Sequence, residues 1–241
     1  MTNVIIGEFV GTILLVLLGD GVCANVTLNN SGFKAAGALF IAIGWGLAVC
    51  LPAAAFSGIC PASYNPALTI ALFADGTLAA ADGYTIAVII EMIIAEMAGG
   101  FIGAVLVWVA FKPQFDASSD LGDSLRGVFC TAPGVRNIPY NILQEAIATF
   151  WLVFAIKAAC GAFDLGTFGV FLVIVSCGTT FGGLTGYAMN AARDTAPRLA
   201  FAILPIKGKG DADWAYGLTA PLIGPVIGAL VAVALYAALP L

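Results

Sequence analysis

The chain has 241 residues, 61% of them hydrophobic and only 10% charged, well below the ~25% charge of soluble domains. That apolar content exceeds what a soluble core of this length hides and would fill at most about seven membrane spans of ~20 residues each, so the sequence describes a polytopic membrane protein. The net charge of -5 offers no basic surface to nucleic acid, and the absence of histidine excludes Ser-His-Asp catalysis, His-ligated metals and histidine pH switching.

The first predicted span covers Val4–Ala24. It has no basic residue ahead of its apolar run and Glu8 interrupts that run, which argues against a cleaved signal peptide. A polar loop through Asn29-Asn30-Ser31 leads to Lys34, and Ala35–Ala74 then runs for 40 residues without a charge. One helix of that length would be ~60 Å long, twice the hydrocarbon thickness. Pro52, Ser57-Gly58 and Pro61 mark the break, giving a span over Ala35–Phe56, a turn inside the membrane and a short helix over Pro66–Ala74.

A third span follows at Tyr84–Phe111. Lys112–Tyr140 is polar, with six charges and three prolines in 29 residues, too long for a plain connector, and is expected to fold over an entrance. The fourth span is Asn141–Cys160. The charge-free run Leu165–Ala192 repeats the earlier pattern: a span to Phe181, a Gly182-Gly183-Leu184-Thr185-Gly186 break, and a short helix from Ala191 that ends before Pro205. The last span is predicted at Trp214–Leu239. None of the six cysteines forms a C-x-x-C pair, and they read as small packing residues. No metal site or cofactor is expected.

The two halves correspond. Each holds a glutamate-bearing span (Glu8-Phe-Val-Gly-Thr and Glu145-Ala-Ile-Ala-Thr) and a short helix opened by asparagine. Asn65 lies 38 residues before Gly103, as Asn190 does before Gly228, and these glycines end Gly99-x-x-x-Gly103-Ala and Gly224-x-x-x-Gly228-Ala. Three spans per half is odd, so the second half must enter from the opposite side. The fold class expected is an all-α membrane protein of six spans plus two re-entrant half-helices. Residues 1–241 form one domain, with inverted repeats over about 1–111 and 141–241 joined by the 112–140 loop.

Asn65-Pro66-Ala67 and Asn190-Ala191-Ala192 carry the helix starts. Asparagine caps a helix N-terminus well and proline suits its first position. In an inverted repeat the two N-termini face each other at mid-membrane, each with free N–H groups and a partial positive charge. Such ends inside an apolar run require a polar cavity.

On these features the chain resembles the aquaporin family, the major intrinsic proteins, and its glycerol-facilitator branch. The resemblance spans nearly the whole chain. Leu184-Thr-Gly-Tyr-Ala-Met-Asn190-Ala-Ala-Arg193-Asp194 is its most specific stretch, and Asp194, Arg198 and the pair Pro221-Leu222 are similar to the glycerol branch. The resemblance implies an outer constriction formed by Trp45, Gly178, Tyr187 and Arg193. Arg193 would bring five N–H donors in a fixed fork, the two rings an apolar wall, and Gly178 the room for a three-carbon polyol. It further implies that Glu8 and Glu145 support the re-entrant loops, that the protein is a homotetramer in the bacterial plasma membrane with one pore per subunit, and that both termini are cytoplasmic. Glu91 and Glu96 face either a neighbouring subunit or a helix partner.

Three positions depart from the family pattern: Ala191 where proline is usual, Ser63 where histidine is frequent, and Tyr187 where phenylalanine is common. Orientation raises a conflict. Termini in the cytoplasm leave Lys34, Lys112, Arg126, Arg136, Lys207 and Lys209 outside and only Lys157 inside, the reverse of the positive-inside rule. The expected function is passive passage of glycerol, water and other small uncharged solutes, including undissociated acids such as lactic acid, with ions and protons excluded. The alternative is a proton-coupled secondary transporter, which also uses inverted repeats and broken helices but needs an ionisable relay. An adhesive use of the fold is a third reading, at odds with an intact filter arginine and both asparagines. None of these is an enzyme.

Overall fold

The computed structural model describes residues 1–162 and 165–240. Among them the long apolar segments form six helices able to cross a membrane. They are α1 (Thr2–Thr27), α2 (Ala38–Phe56), α4 (Ile86–Ala110), α6 (Ile138–Ala162), α7 (Gly166–Thr185) and α10 (Ala220–Ala238); between them lie the short helices α3 (Pro66–Ala74), α5 (Lys112–Asp116), α8 (Ala191–Ile203) and α9 (Trp214–Gly217). The helix at Pro66–Ala74 has the predicted bounds, and α8 starts at Ala191 as predicted. The last predicted span, Trp214–Leu239, is matched by an apolar segment over Trp214–Ala238, though its helix is interrupted. The chain leaves α9 at Leu218, and Thr219, with φ -121° and ψ -84°, precedes a new helix with proline in its first turn, a position that proline suits.

Close helix contact organises each half. α1 packs on α4 and on α2, while α6 packs on α10 and on α7. The predicted Gly-x-x-x-Gly pairs sit at the two tightest seams. A methyl group at Gly99 would lie 2.5 Å from the Phe9 carbonyl oxygen and one at Gly103 2.7 Å from that of Ile13; at Gly224 it would lie 2.6 Å from that of Ile142, and at Gly228 it would meet that of Ala146. Helix pairs in lipid gain stability from such backbone approach because hydrocarbon solvates their apolar side chains as well as a partner does. Glu96 points inward from α4, accepting a 2.5 Å hydrogen bond from Thr69 Oγ1 on α3, whereas Glu91 is exposed.

The connections gather at two ends. At one end the loop after α1, the 112–137 segment and the 204–213 loop interlock: Asn29 bonds Asp120 and the Ala117 carbonyl, Arg126 bonds the Asp211 carbonyl, and Arg136 pairs with Asp213 through two 2.8 Å bonds. Those bonds hold the Asp213 carboxyl below its ordinary range against the opposing effect of partial burial. At the other end Lys157 of α6 pairs with Asp75 at the end of α3, 2.7 Å apart. The six basic residues in conflict with the positive-inside rule belong to the first of these ends, where Asp116, Asp120, Asp123, Asp211 and Asp213 accompany them. All six cysteines are free thiols, five buried and Cys160 half-buried, as a packing role requires.

Gly228→Ala is expected to destabilise the protein by about 1–3 kcal/mol, the usual cost of overpacking. Thermal unfolding in detergent measures it, with Gly58→Ala, where nothing lies within 4 Å of the added methyl, keeping the parent melting temperature.

Candidate functional site

The site begins with two helix starts. Asn65 caps α3, its side-chain oxygen accepting the Ala67 N–H at 3.0 Å, and Asn190 caps α8, accepting those of Ala192 at 2.9 Å and Arg193 at 3.3 Å. The side-chain nitrogens then cross. Asn65 Nδ2 donates to the Met189 carbonyl at 2.9 Å, and Asn190 Nδ2 donates to the Tyr64 carbonyl at 2.7 Å. Each half-helix is thereby tied to the loop that enters the other. An amide nitrogen carries two protons, so each asparagine keeps a second N–H to offer. Ala191 in place of proline leaves the cap unchanged: φ and ψ are -163° and 115° at Asn190 and -156° and 111° at Asn65.

The loops before the asparagines share an unusual backbone. The residues one and three places ahead, Tyr64 and Ala62 in the first loop and Met189 and Tyr187 in the second, have φ between 42° and 55°. Left-handed backbone costs a non-glycine residue ~1–2 kcal/mol. A buried carboxylate offsets it in each half. Glu8 accepts the N–H groups of Ser63 at 3.1 Å and Tyr64 at 2.8 Å, and Glu145 accepts those of Ala188 at 3.0 Å and Met189 at 2.8 Å. Charge-assisted bonds of this kind contribute ~1.5–3 kcal/mol each.

Two cavities meet at Tyr187 and Arg193. The inner one, about 220 Å³, is bordered by the polar residues Ser63, Asn65 and Asn190 and by Leu15, Val49, Leu68 and Leu72 among others. The outer one, about 570 Å³, is bordered by Gly178 and by Gly127, Cys130 and Thr131 of the long loop, so that loop does fold over an entrance. Tyr187 and Arg193 border both cavities. Arg193 is the charged side chain among the residues bordering either one.

The four residues of the expected constriction come together here, with one difference from expectation. The Arg193 guanidinium lies over the Trp45 ring, 4.0 Å from its centroid, a cation–π stack. That Trp45 face is therefore covered by the guanidinium and is not a bare wall for carbon. The Trp45 ring nitrogen donates to Cys23 Sγ at 3.4 Å. A methyl at Gly178 would stand 3.1 Å from the Tyr187 hydroxyl, so the missing side chain gives that ring its place. Tyr187 Oη is buried without a hydrogen-bond partner in the protein, and so is Ser63 Oγ.

The remaining predicted residues act at a distance from the cavities. Asp194 accepts from the Thr131 N–H and hydroxyl, both at 2.7 Å, and pairs at 2.8 Å with Arg198, which is fully buried and also donates to the Thr131 and Ala212 carbonyls. The pair fastens the long loop to α8. Pro221 starts α10, and Leu222 is 38% exposed on its outer face; neither reaches a cavity. Sequence reasoning missed Asp20. It is fully buried on α1, with Oδ1 3.7 Å from Arg193 Nη1. The rule that singled out Glu8, a charge inside an apolar span, singles out Asp20 as well.

This fold and site define a six-span membrane protein in which two half-helices capped by asparagine meet beside cavities that share a buried arginine. The chain belongs to the major intrinsic protein family, whose model matches residues 1–236. It is 41% identical over 240 residues to a glycerol uptake facilitator protein of Streptococcus pneumoniae, covering 98% of this chain and 99% of that one. It is 37% identical over 236 residues to a D/L-lactic acid transporter of Lactiplantibacillus plantarum, covering 96% and 95% of the two. Among solved structures, the X-ray structure of the aquaglyceroporin from Plasmodium falciparum matches with a TM-score of 0.81 at 27% identity, covering 98% of this chain and 95% of that one.

Replacing Asp194 with alanine leaves Arg198 buried without its counter-charge and is expected to cost about 3–5 kcal/mol. Lys112→Ala, which removes an exposed pair with Asp116 and a cation–π contact with Trp108, is expected to cost at most about 2 kcal/mol. Thermal unfolding of the two purified variants checks the contrast.

Proposed function

We propose that this protein is a passive channel for glycerol and other small uncharged solutes, water included. The observation that carries this reading is the lining: Ser63, Asn65 and Asn190 border the inner cavity together with aliphatic side chains, and Arg193 and Tyr187 border both cavities. A polyol needs both kinds of partner, hydrogen-bonding groups for its hydroxyls and apolar surface for its carbon. A solute passing in single file meets the Arg193 fork and the Tyr187 hydroxyl first, then the second N–H of Asn190 and of Asn65, then the carbonyls of the re-entrant loops. The positive ends of α3 and α8 repel cations and protons, and the Arg193 fork offers them donors and no acceptor.

Glu8 and Glu145 act in this reading as supports that hold the loops open, while Asp194 and Arg198 hold the outer entrance. Among the described residues no carboxylate borders either cavity, which speaks against the relay that a proton-coupled transporter needs. The lactic acid transporter among the relatives supports passage of undissociated small acids as well. The resemblance also supports a single domain of inverted repeats, about 1–111 and 141–241, assembled as a homotetramer with both termini in the cytoplasm. That orientation turns the basic and acidic loop cluster outward, against the positive-inside rule, and it rests on the resemblance.

Stopped-flow light scattering on proteoliposomes tests the reading. Glycerol flux should rise linearly with its gradient, without saturation, and stay unchanged when a proton gradient is collapsed; saturable flux that falls with the proton gradient would establish the transporter instead. In the same assay Arg193→Ala is expected to admit polyols longer than glycerol, and unchanged size selectivity in that variant would refute the constriction assigned here.

A further inference from the structure

Asp20 is the least explained charge in the molecule. It lies within the membrane-spanning helix α1, two turns from its C-terminal end, is 0% exposed, and neither carboxylate oxygen has a hydrogen-bond partner in the protein. A carboxylate in such a place is expensive to keep. Its neighbours are all parts of the constriction. The nearest cation is Arg193, with Nη1 3.7 Å from Asp20 Oδ1, an ion pair too long to be a hydrogen bond. One residue before it, Gly19 stands against the Trp45 ring, where a side chain would overlap the indole; three residues after it, Cys23 accepts the hydrogen bond from Trp45 Nε1. One turn of α1 thus backs both Arg193 and the ring on which its guanidinium lies.

The other charges nearby are already matched. Asp194 is committed to Arg198, which leaves Asp20 as the counter-charge for Arg193. Arg193 sits in the first turn of α8, whose N-terminus is itself positive. Without compensation this place would repel cations but concentrate anions, since a low-dielectric wall focuses the field of an unpaired charge into the path. Asp20 borders neither cavity, so a solute feels only its field.

We propose that Asp20 is a specificity-determining residue: a buried counter-charge that makes the constriction a set of hydrogen-bond donors without net positive charge. The constriction then accepts hydroxyls and undissociated carboxylic acids and gives no advantage to anions. This rests on the channel reading above. Asp20 acts through Arg193 and does not touch the solute, and the ion whose passage changes separates this role from a merely structural one.

The experiment measures chloride, potassium and glycerol permeability on the same proteoliposomes, each taken as a ratio to the amount of reconstituted protein. Asp20→Asn keeps the side-chain shape and removes the charge; its chloride ratio is expected to rise at least about tenfold, the scale of field focusing at a lined cleft, with the potassium ratio unmoved. Arg193→Gln leaves the carboxylate unpaired and is expected to raise the potassium ratio instead. The double variant is expected to lose both leaks. A chloride ratio in Asp20→Asn equal to the parent's, or chloride and potassium leaks rising together, overturns the proposal. If Asp20→Asn does not assemble, the other two variants decide, and a potassium leak that persists when both residues are replaced overturns it. Parent protein that carries no glycerol would refute the channel reading itself, an outcome visible before any variant is compared.

Discussion

The structure depends on the crossed hydrogen bonds between its two half-helices. Asn65 reaches the Met189 carbonyl and Asn190 the Tyr64 carbonyl, so neither re-entrant loop can settle without the other. Helix starts inside a bilayer leave N–H groups with no water to satisfy them. Here the two asparagine oxygens take the first of those groups, while the two nitrogens join the halves. One residue type performs both tasks because an amide carries an acceptor and two donors, and the donor left over is what a solute can use.

The loops that bring the asparagines together are held in a backbone they would not adopt alone. Ala62, Tyr64, Tyr187 and Met189 are all left-handed and none is glycine. Glu8 and Glu145 draw the intervening N–H groups to one side, and the loop residues line the inner cavity. Each carboxylate is thus tied to a path it does not touch. The same economy appears at the outer end, where Asp194 and Arg198, neither bordering a cavity, fix the long loop that does.

Where the two cavities share Arg193 and Tyr187, the side chains support one another before any solute arrives. Arg193 lies on Trp45, Trp45 is held by Cys23 and backed by Gly19, and Tyr187 occupies the space that Gly178 leaves free. A guanidinium on an aromatic face with a carboxylate behind it has few other places to go. That rigidity suits selection by shape and hydrogen bonding.

Much of this architecture was legible along the chain because a bilayer imposes length and polarity directly. A 40-residue charge-free run cannot be one helix, so the half-helices followed from rise per residue, and Asn65-Pro66 marked its helix start by local capping chemistry alone. The break positions were less legible, since Pro52 lies inside α2 and α7 continues through Gly182 to Thr185. The equal 38-residue spacings from asparagine to glycine likewise placed the tight seams. The break at Thr219 was not legible, because a continuous apolar stretch does not show where backbone geometry interrupts it. The stacking of Arg193 on Trp45 and the approach of Asp20 were hidden as well: Asp20, Trp45 and Arg193 lie on three different helices. The sequence by itself determined which segments enter the membrane and which residues cap them, since hydropathy and capping are local. Only the tertiary structure decided which charge faces which, because that pairing exists only once helices distant in sequence are packed together.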